Sequence, residues 1–433
     1  MIVPCLGIND NGHLTIAGRD ALALAEKYGT PAYFIDEETI RANCRAYKAA
    51  LSKYAPEGSI PLYAGKALCC AAIYRIIAEE GLGADVVSAG EIATAVLAGF
   101  PMERAYFHGN AKTDSDIRYA ISAGVGTFVV DNFDELSALD RIAGELGVRQ
   151  RVLLRITPGI DPHTHRKIIT GSVDSKFGVA IETGQAINFV REALEKKSIE
   201  LCGLHCHIGS QIFEPDPFIE AASIMVEFAK SCKKEFGWEP EILNLGGGFG
   251  VRYIEDHPHI NIDENIKKVC GTVASICEEA GLRVPKIFLE PGRSIVANAG
   301  VTLYTVCSVK EITGYKNYVA VDGGMTDNPR YALYSSPYTI IVANRASEPA
   351  DFECTVAGRC CESGDLLAEG VKIQKCERGD ILAVLCTGAY NYSMASNYNR
   401  VPRPPIVMLA QGSEYIAVER ESYDDIVRLD RVR

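Results

Sequence analysis

The stretch Tyr63-Ala64-Gly65-Lys66-Ala67-Leu68 joins a short apolar segment, which ends at Ala64, to a segment with apolar residues at helical spacing. The sequence therefore predicts a buried strand that gives way to a helix, with Lys66 at the junction. A buried ammonium group is costly unless it is paired or neutral, so structure alone rarely places a lysine beside an apolar core. Desolvated lysines are good amine nucleophiles and form Schiff bases. A lysine at the solvated end of a strand would leave the same pattern.

From Ile60 onward, eight apolar runs of strand length recur, and each of the first seven is followed by a segment of helical periodicity. The predicted strands are Ile60–Ala64, Ala84–Val87, Ala105–Phe107, Thr127–Val130, Val152–Ile156, Ile199–His207, Ile242–Leu245 and Ile287–Leu289. This alternation over roughly 250 residues is typical of a (β/α)8 barrel, whereas an open doubly wound sheet would not need eight consecutive units. Functional residues of such barrels lie at the carboxyl ends of the strands, where Lys66, His207, Gly246–Gly248 and Glu290 fall.

After about Asn298 the pattern changes to strand-like runs separated by turn residues, with little helical periodicity. Such a pattern predicts a mainly antiparallel β domain. The early run Pro31–Asp36 is also strand-like and could join that domain, which would make it discontinuous. The predicted organisation is an α/β barrel over residues 37–298 and a β domain formed by residues 1–36 and 299–433.

The composition of the 433-residue chain is that of a soluble globular protein with a sizeable core. A net charge of −12 argues against nucleic acid or an anionic membrane surface as the main partner, but it leaves a small anionic substrate open. There is no apolar run of transmembrane length and no signal-peptide pattern at the start. The 15 cysteines lack the spacing of a disulfide framework, which favours reduced thiols and a cytoplasmic location.

Two motifs that follow predicted strands could contact a charged ligand. Gly246-Gly247-Gly248-Phe249-Gly250 would let backbone N–H groups approach a phosphate, although a tight turn with positive φ gives the same sequence. Its spacing matches neither a Walker A loop nor a GxGxxG fingerprint. Glu290-Pro291-Gly292-Arg293 places a carboxylate at the barrel mouth, where it could be a general base, a metal ligand or the partner of a cationic ring nitrogen. An internal ion pair between Glu290 and Arg293 is the structural alternative.

The motif His205-Cys206-His207 ends the sixth predicted strand, and alternation puts both histidines on one face and Cys206 on the other. An HxH pair on a barrel strand also begins the metal site of amidohydrolases. Those enzymes need further histidines on later strand ends and an aspartate on the last strand. Here only His257 and His259 follow, and the last strand ends in Glu290. We therefore expect no metal ion.

Three polar segments of the predicted β domain contain residues that could take part in chemistry. The segment Cys360–Asp365 is expected to be a loop, because its cysteines adjoin two carboxylates and a glycine, although most free cysteines are small core residues. The segment Asp327–Tyr334 is a second polar loop, in which Arg330 could equally be an ordinary surface residue. The same holds for Gly388-Ala389-Tyr390.

In their order along the chain, these segments resemble the fold type III pyridoxal-phosphate decarboxylases. The resemblance covers nearly the whole chain and rests on Tyr63–Lys66, His205–Gln211, Gly246–Gly250, Glu290–Arg293, Asp322–Met325, Cys361–Asp365 and Gly388–Tyr390. The loop Thr326–Arg330 together with Tyr334 looks like the diaminopimelate decarboxylase branch. The resemblance implies an alanine-racemase-type barrel followed by a β domain, which agrees with the organisation read from the strand pattern.

The resemblance also implies a pyridoxal 5′-phosphate cofactor. Lys66 would hold it as a Schiff base, His207 would stack on its ring, and Glu290 would accept a hydrogen bond from the ring nitrogen. The residues implied to bind the cofactor are Lys66, His207, Ser210, Gly247, Gly248, Glu290, Pro291, Gly292, Arg293 and Tyr390. A carboxylate that keeps the ring nitrogen protonated favours decarboxylation, whereas the cationic partner of alanine racemases would weaken the electron sink.

The reaction implied by the resemblance is decarboxylation of meso-2,6-diaminopimelate to L-lysine. Lys66, His207, Glu290 and Cys361 would be catalytic, with Cys361 as the proton donor. The residues implied to bind this amino-acid substrate are Arg293, Arg330, Tyr334, Glu362 and Tyr390. Two arginines suit a substrate that ends in a carboxylate and would repel the terminal amine of ornithine or lysine.

Two further expectations follow from the resemblance. The protein would be a homodimer with shared sites, because the Cys361–Asp365 loop of such enzymes reaches into the partner's barrel. The alternative activities on this scaffold are decarboxylation of carboxynorspermidine, of ornithine or lysine, or of a D-amino acid. The alternative from another class is a non-catalytic pyridoxal-phosphate carrier or an inhibitory paralogue. Carriers of the barrel type lack a β domain, and inhibitory paralogues lose active-site residues, whereas Lys66, Glu290 and Cys361 are all present here.

Overall fold

The structure is a computed structural model that describes residues 2–160 and 174–432. The chain forms two compact units. The barrel unit comprises Arg41–Val251 and His259–Ser294, and the β unit comprises Met1–Ile40, Arg252–Pro258 and Ile295–Arg433. The boundaries 37–298 and 1–36 with 299–433 stay a prediction for the folding domains.

The secondary-structure elements are numbered along the chain. The strands are β1 (Leu6–Ile8), β2 (Leu14–Ile16), β3 (Arg19–Asp20), β4 (Ala32–Asp36), β5 (Leu62–Ala64), β6 (Gly83–Val86), β7 (Ala105–Phe107), β8 (Thr127–Val130), β9 (Gln150–Thr157), β10 (Val179–Ala180), β11 (Ile199–His205), β12 (Ile242–Asn244), β13 (Lys286–Phe288), β14 (Gly300–Glu311), β15 (Asn317–Val321), β16 (Ile340–Val342), β17 (Phe352–Ala357), β18 (Leu366–Ile373), β19 (Ile381–Leu385), β20 (Ile406–Ala410) and β21 (Ser413–Val418). The α-helices are α1 (Ala21–Tyr28), α2 (Glu37–Tyr54), α3 (Ala71–Glu79), α4 (Ala89–Leu97), α5 (Asp114–Ser122), α6 (Phe133–Glu145), α7 (Gln185–Glu195), α8 (Asp216–Phe236), α9 (Ile262–Glu279), α10 (Arg293–Val296), α11 (Arg330–Tyr334) and α12 (Tyr423–Val427).

The sheet of the barrel unit consists of parallel strands in the order β5, β6, β7, β8, β9, β11, β12 and β13, with the short β10 beside β9. A parallel bridge joins Pro61 to Leu289, and Leu62 N donates a hydrogen bond to Leu289 O at 2.7 Å. These contacts connect the last strand to the first, so the sheet closes. The predicted (β/α)8 barrel is confirmed.

One layer of apolar side chains, which we call the plug layer, packs inside the barrel. It consists of Leu62, Tyr106, Val129, Leu153, Cys202, Ile242 and Phe288, all buried. Seven of the eight strands each contribute one of these residues. The remaining strand, β6, contributes Gly83, where a Cβ would collide with the Leu62 side chain. Burial of each large apolar side chain favours folding by about 1.5–3 kcal/mol, so the plug layer fixes the strands around one centre.

The β unit contains a mainly antiparallel sheet in the order β18, β17, β15, β14, β4, β20 and β21, to which β19 and β16 are attached through β14. β4 pairs antiparallel with β14 and parallel with β20. The expectation that the early strand joins the later ones is therefore confirmed. A small separate sheet consists of β1, β2 and β3.

Several short elements differ from the sequence-based expectations. The predicted polar loop Asp327–Tyr334 ends in the helix α11, which at five residues is too short to show periodicity. Neither β18 nor β21 was predicted, since β18 is interrupted by Gly370 at φ +63° and β21 is half-exposed. The helix expected from Ala67 begins at Ala71, after a 3-10 turn that contains Lys66.

All 15 cysteines are free thiols. Among the helices in residues 2–160 and 174–432, none combines the length and the apolar character needed to cross a membrane.

Candidate active site

A cavity of about 340 Å³ lies at the carboxyl ends of the barrel strands. It is lined by Lys66, Asp85, Val87, His108, Gly109, Asn110, Arg155, Phe177, His205, His207 and Glu290. Ligand pockets usually measure about 300–1,000 Å³, so this one suits a small ligand. The predicted position of Lys66, His207 and Glu290 at the barrel mouth agrees with this lining.

The polar lining residues follow the plug layer by strand alternation. Successive side chains of a strand point to opposite faces, so the residue two positions after a plug residue faces the same interior. The pairs of plug residue and following polar residue are Tyr106 and His108, Val129 and Asp131, Leu153 and Arg155, Ile242 and Asn244, and Phe288 and Glu290. In β6, Asp85 stands two positions after Gly83. The apolar layer is thus covered by a second layer of polar, chemically active side chains.

Glu290 lies at the centre of this polar layer. Asn244 Nδ2 donates to its Oε1 at 2.6 Å, and His205 Nε2 lies 3.2 Å from its Oε2. His108 Nε2 lies 3.0 Å from Oε1. Burial works to raise the pKa of Glu290, but His108 and His205 together outweigh it and hold that pKa well below its usual range. The carboxyl group is therefore ionised at neutral pH.

His205 is neutral next to this carboxylate. Burial lowers its pKa to about 4, although Glu290 opposes the shift. A neutral imidazole that approaches a carboxylate through Nε2 must carry its proton on that nitrogen. His205 is therefore a hydrogen-bond donor to Glu290 at pH 7, and Glu290 keeps its negative charge.

Two more ionisable groups face the cavity from other strands. Burial raises the pKa of Asp85, with Glu290 acting in the same direction and with His108 and Lys66 opposing it. The guanidinium of Arg155 is buried and its carbon lies 4.3 Å from the centre of the Phe177 ring. The cavity thus brings together buried acidic and basic side chains, among them Asp85, Arg155 and Glu290, whereas Lys66 is exposed, as expected of a lysine at the solvated end of a strand.

A glycine turn after β12 brings backbone N–H groups close to the cavity. A Cβ on Gly247 would collide with the carbonyl oxygen of Glu290, and a Cβ on Gly248, at φ +114°, would collide with that of Gly209. Gly247 N donates to Nδ1 of His207 at 3.2 Å. Burial, aided by Lys66 and Arg155, keeps the pKa of His207 well below its usual value. His207 is therefore neutral, with its proton on Nε2 and its ring fixed by the glycine turn.

The predicted anion-binding residues that follow β13 lie beside this turn. Arg293 is buried and donates from Nη2 to Ser210 Oγ at 2.9 Å. Pro291 O accepts a hydrogen bond from Ala64 N at 3.1 Å, and a Cβ on Gly292 would press against Ala64 at 2.9 Å. The segment Glu290–Arg293 is therefore held directly against the strand that precedes Lys66.

His108, His205 and Glu290 also have ligand atoms that lie within 4.8 Å of one another. Their types would suit Zn²⁺. The close contacts that these side chains make with each other account for the arrangement without a cation. The absence of a metal cofactor stays a prediction.

The remaining predicted residues lie in the β unit. Arg330 is buried, and its guanidinium carbon lies 5.3 Å from the ring centre of Tyr334 and 5.4 Å from that of Tyr390. Cys361 is exposed, and its backbone N donates to Asn399 Oδ1 at 2.8 Å. Glu362 is exposed. Within the β unit the structure thus groups Arg330 with two tyrosines and presents Cys361 at the surface.

Sequence reasoning missed several residues of the barrel cavity, namely Asp85, His108, Asn110, Arg155, Phe177 and the buried Asn244 beside Glu290. For His108, Arg155 and Asn244 the available signal was their position two residues after an apolar strand residue. That signal needs the register of the barrel, which the sequence alone does not supply.

Known proteins that resemble this chain share its length and its fold. The family model described as "Pyridoxal-dependent decarboxylase, pyridoxal binding domain" matches residues 37–297. The chain is 47% identical to the diaminopimelate decarboxylase of Bacillus subtilis (strain 168) over 422 residues, which cover 98% of this chain and 96% of that one. The chain belongs to the diaminopimelate decarboxylase family. Its barrel and β unit are thus those of a pyridoxal-dependent decarboxylase.

Solved structures of this family agree. The diaminopimelate decarboxylase from M. jannaschii, in complex with L-lysine, superposes with a TM-score of 0.93 at 38% identity and covers 100% of this chain and 99% of its own. The Helicobacter pylori enzyme, also complexed with L-lysine, gives a TM-score of 0.86 at 32% identity, with coverage of 95% and 99%.

The family's cofactor is pyridoxal phosphate, and the residues of this barrel fit it. Lys66 lies in a cavity of suitable volume with an ionised Glu290. The glycine turn has no space for Cβ atoms at Gly247 and Gly248, so its backbone can approach a phosphate. A primary amine, a buried carboxylate and a phosphate cradle are the three groups that this cofactor requires.

Proposed function

We propose that the protein catalyses the pyridoxal-phosphate-dependent decarboxylation of meso-2,6-diaminopimelate to L-lysine and CO2. The observation that carries the proposal is the ionised, buried Glu290 in one cavity with Lys66. A carboxylate opposite the ring nitrogen stabilises its protonated form, which is the form that accepts electrons. The identity with diaminopimelate decarboxylases over nearly the full chain supports the choice of substrate.

Within this proposal the barrel residues hold the cofactor. Lys66 would bind it covalently, the N–H groups around Gly247, Gly248 and Gly292 with Ser210, Arg293 and Tyr390 would bind its phosphate, and Pro291 would shape this turn. His207 would stack on the ring, and its hydrogen bond from Gly247 N fixes the angle of its imidazole. When bound, the cofactor supplies an electron sink for the pair left by the departing CO2.

The side chains around Glu290 keep it ionised, and an ionised Glu290 would preserve the cofactor's capacity to accept electrons. Asn244 and His205 direct N–H groups at its two oxygens, and His108 Nε2 lies 3.0 Å from Oε1. A carboxylate with these donors resists protonation, so Glu290 can accept one more hydrogen bond without taking the proton away. This arrangement opposes racemisation, for which a weaker electron sink is sufficient.

The β-unit residues would bind and protonate the substrate. Arg330, held against Tyr334 and Tyr390, offers a planar set of donors for the distal carboxylate, with Arg293 as a second arginine. Glu362 would bind the distal amino group. The thiol of Cys361 would give its proton to the substrate's α-carbon after CO2 leaves, and solvent would then restore the thiol.

We further propose a cytoplasmic homodimer. An exposed thiol cannot act in a dry site unless another surface covers it, and the barrel mouth of a partner subunit would do so. The free state of all 15 cysteines fits a reducing compartment.

The test is a substrate panel on the purified holoenzyme. Release of CO2 and of the product amine is measured with meso-diaminopimelate, L-ornithine, L-lysine and D-lysine. We expect turnover of meso-diaminopimelate to exceed that of each other compound by at least ~100-fold, because Arg330 pairs only with a distal carboxylate.

The variant that tests the role of Arg330 is Arg330→Met, which keeps the length of the side chain and removes its charge. This variant should raise the KM for meso-diaminopimelate and leave cofactor binding intact, because Arg330 binds a remote group. Absence of turnover with meso-diaminopimelate, or faster turnover of ornithine, would remove the proposed substrate.

A further inference from the structure

The barrel unit contains a lysine, Lys112, whose side chain is almost completely buried and is not among the residues that line the cavity. The side chains of Lys112 and Glu135 are only 2% and 3% exposed, and Lys112 Nζ lies 2.7 Å from Glu135 Oε1. Lys112 Nζ also donates to Gly109 O at 2.8 Å and to Val129 O at 3.0 Å. All three ammonium protons are therefore used, which makes this a fully satisfied buried cation.

Two of the three acceptors of Lys112 lie at the ends of adjacent strands, and the third lies on a helix. Gly109, which lines the cavity, follows β7, and Val129 is a plug-layer residue of β8. Glu135, at the start of α6, uses its second oxygen, Oε2, to accept from Asp131 N at 3.0 Å. One ammonium group thus fixes the end of β7, the end of β8 and the backbone at Asp131.

Asp131 continues this chain of contacts to the cavity. Its buried carboxylate lies 3.9 Å from Nε of Arg155, and the Arg155 guanidinium lines the cavity. The carbon of the same guanidinium lies over the face of the Phe177 ring. Asp131 is therefore one of three carboxylates, with Glu290 and Asp85, whose charges act on the guanidinium, and it is the one connected to Lys112 through Glu135.

Stability alone gives little reason for such an ion pair. Two charges removed from water lose solvation that their attraction barely replaces, so an apolar pair of equal size would stabilise the barrel as well or better. Burial lowers the pKa of Lys112 and raises that of Glu135, which shows the cost of this position for each group. The contacts that lead from Lys112 through Glu135 and Asp131 to Arg155 give the ion pair another role, which is to position the guanidinium.

The geometry points to Lys112 as a positioning residue for the cofactor cavity. Through Glu135 and Asp131 it holds the Arg155 guanidinium in one orientation, so that a fixed cation faces the anionic groups of cofactor and substrate. Lys112 itself touches neither. The inference rests on the proposed function only in that the cavity binds pyridoxal phosphate.

The experiment is a double-mutant cycle on the dissociation constant of pyridoxal phosphate, measured with its absorbance spectrum. Lys112→Met keeps the length of the side chain and removes the charge and the three donors. We expect a ~10-fold weaker cofactor affinity, as is common when the partner of a ligand-binding group is lost. Arg155→Met should weaken affinity at least as much. In the Arg155→Met background, Lys112→Met should then change the constant less than ~2-fold, because both act through one guanidinium.

Two further variants separate positioning from folding. Lys112→Met/Glu135→Met contains no unpaired buried charge and should stay folded, yet it should show the same loss of affinity, because Asp131 N has lost its acceptor. Lys286→Met breaks a half-exposed ion pair with Glu241, at 2.8 Å, at the other end of the strands, and should leave affinity unchanged.

Independent, multiplying effects of Lys112→Met and Arg155→Met would overturn the inference, and so would an unchanged constant in folded Lys112→Met. A wild-type protein that binds no pyridoxal phosphate would instead contradict the proposed function, so the two failures are distinct.

Discussion

The carboxylate of Glu290 shows how far single residues can be interpreted from sequence. Its place at the end of the last barrel strand and its possible role beside a cationic ring nitrogen were predicted from the motif Glu290–Arg293. Its polar neighbours His108, His205 and Asn244 were not identified as its partners, because they come from three different strands. His205 and Glu290, for example, are 85 positions apart. Only the closed barrel brings them within hydrogen-bonding distance.

His205 makes the stability of the protein depend on pH. Burial lowers its pKa to about 4, whereas an unfolded chain gives histidine a pKa of roughly 6.5. Between these values the unfolded chain binds a proton that the folded protein does not bind, so stability falls as pH falls. From pH 7 to pH 5 this group should remove about 2 kcal/mol. The loss continues until the pH reaches the folded pKa of about 4, and the comparison stops at pH 5 because the carboxylates of the unfolded chain begin to protonate below it.

The measurement is urea unfolding of the holoenzyme at pH 7 and pH 5, for wild type and for His205→Asn. The variant keeps a side-chain donor for Glu290 but lacks the titrating ring. Its free energy of unfolding should change about 2 kcal/mol less between the two pH values than that of wild type. An equal change in both proteins would show that His205 is not the group responsible.

Cys361 offers a second prediction for a single residue. If its thiol gives the proton to the α-carbon, Cys361→Ala should retain the cofactor's absorbance and affinity while kcat falls about 100-fold or more, the usual contribution of a positioned proton donor. Single-turnover and steady-state rates with meso-diaminopimelate would measure this. Cys360→Ala is the matched control, because it changes the neighbouring, half-buried thiol. Equal effects of the two substitutions would contradict the role of Cys361.

Among the elements, those that repeat in a regular alternation or extend over several helical turns were predicted, whereas isolated elements of the β unit were missed. The barrel strands and the helix α2 follow from apolar periodicity, which is strong over several turns or several repeats. The helix α11 and the strand β21 contain five and six residues and bury few side chains. Local pattern is weak in such elements, and their conformation depends on neighbours that are distant in sequence.

The loop that carries Cys361 and Glu362 is fixed by one buried carboxylate. Asp365 Oδ1 accepts from Met325 N at 2.6 Å, and Oδ2 accepts from Cys360 N at 2.7 Å. A Cβ at Gly324 or at Gly358 would collide with this carboxylate. The motifs Asp322–Met325 and Cys361–Asp365, which are separated in sequence, therefore pack against each other through the Asp365 carboxylate.

This contact predicts the effect of Asp365→Asn. An amide can accept only at one of its two ends, so one of the two backbone N–H groups loses its partner and the loop loosens. We expect kcat to fall about 10-fold, with the dissociation constant of pyridoxal phosphate unchanged. Steady-state kinetics and cofactor titration are the measurements, and the exposed Asp351→Asn is the control. A weaker cofactor affinity would show that the loop acts on the barrel cavity instead.

For the whole molecule, the alternation of strands and helices was sufficient to predict a barrel, and the change of pattern near Asn298 was sufficient to predict a β domain. The layered interior was not predictable to the same degree. The plug layer and the polar layer above it differ only in register, and register is set by closure of the sheet between Pro61 and Leu289. A sequence lacks this information because no local pattern encodes the stagger of a closed barrel.

The proposed homodimer makes a prediction that concerns two chains at once. Lys66→Ala removes the amine of the barrel cavity, and Cys361→Ala removes the thiol of the β unit, so each variant alone should be nearly inactive. If a site combines the barrel of one subunit with the Cys361–Asp365 loop of its partner, a mixed dimer contains one site with both groups intact. Random exchange makes half of the dimers mixed, so about a quarter of wild-type activity should return.

The two variants are unfolded together, refolded and assayed for lysine release from meso-diaminopimelate, with each variant treated alone as the control. The value of about a quarter is diagnostic because each mixed dimer has exactly one restored site out of two. A site formed within a single chain would lack either the lysine or the thiol in every subunit, whatever the mixture. Activity that stays at the level of the separate variants, while the mixed dimer is detected by mass, would therefore exclude shared sites.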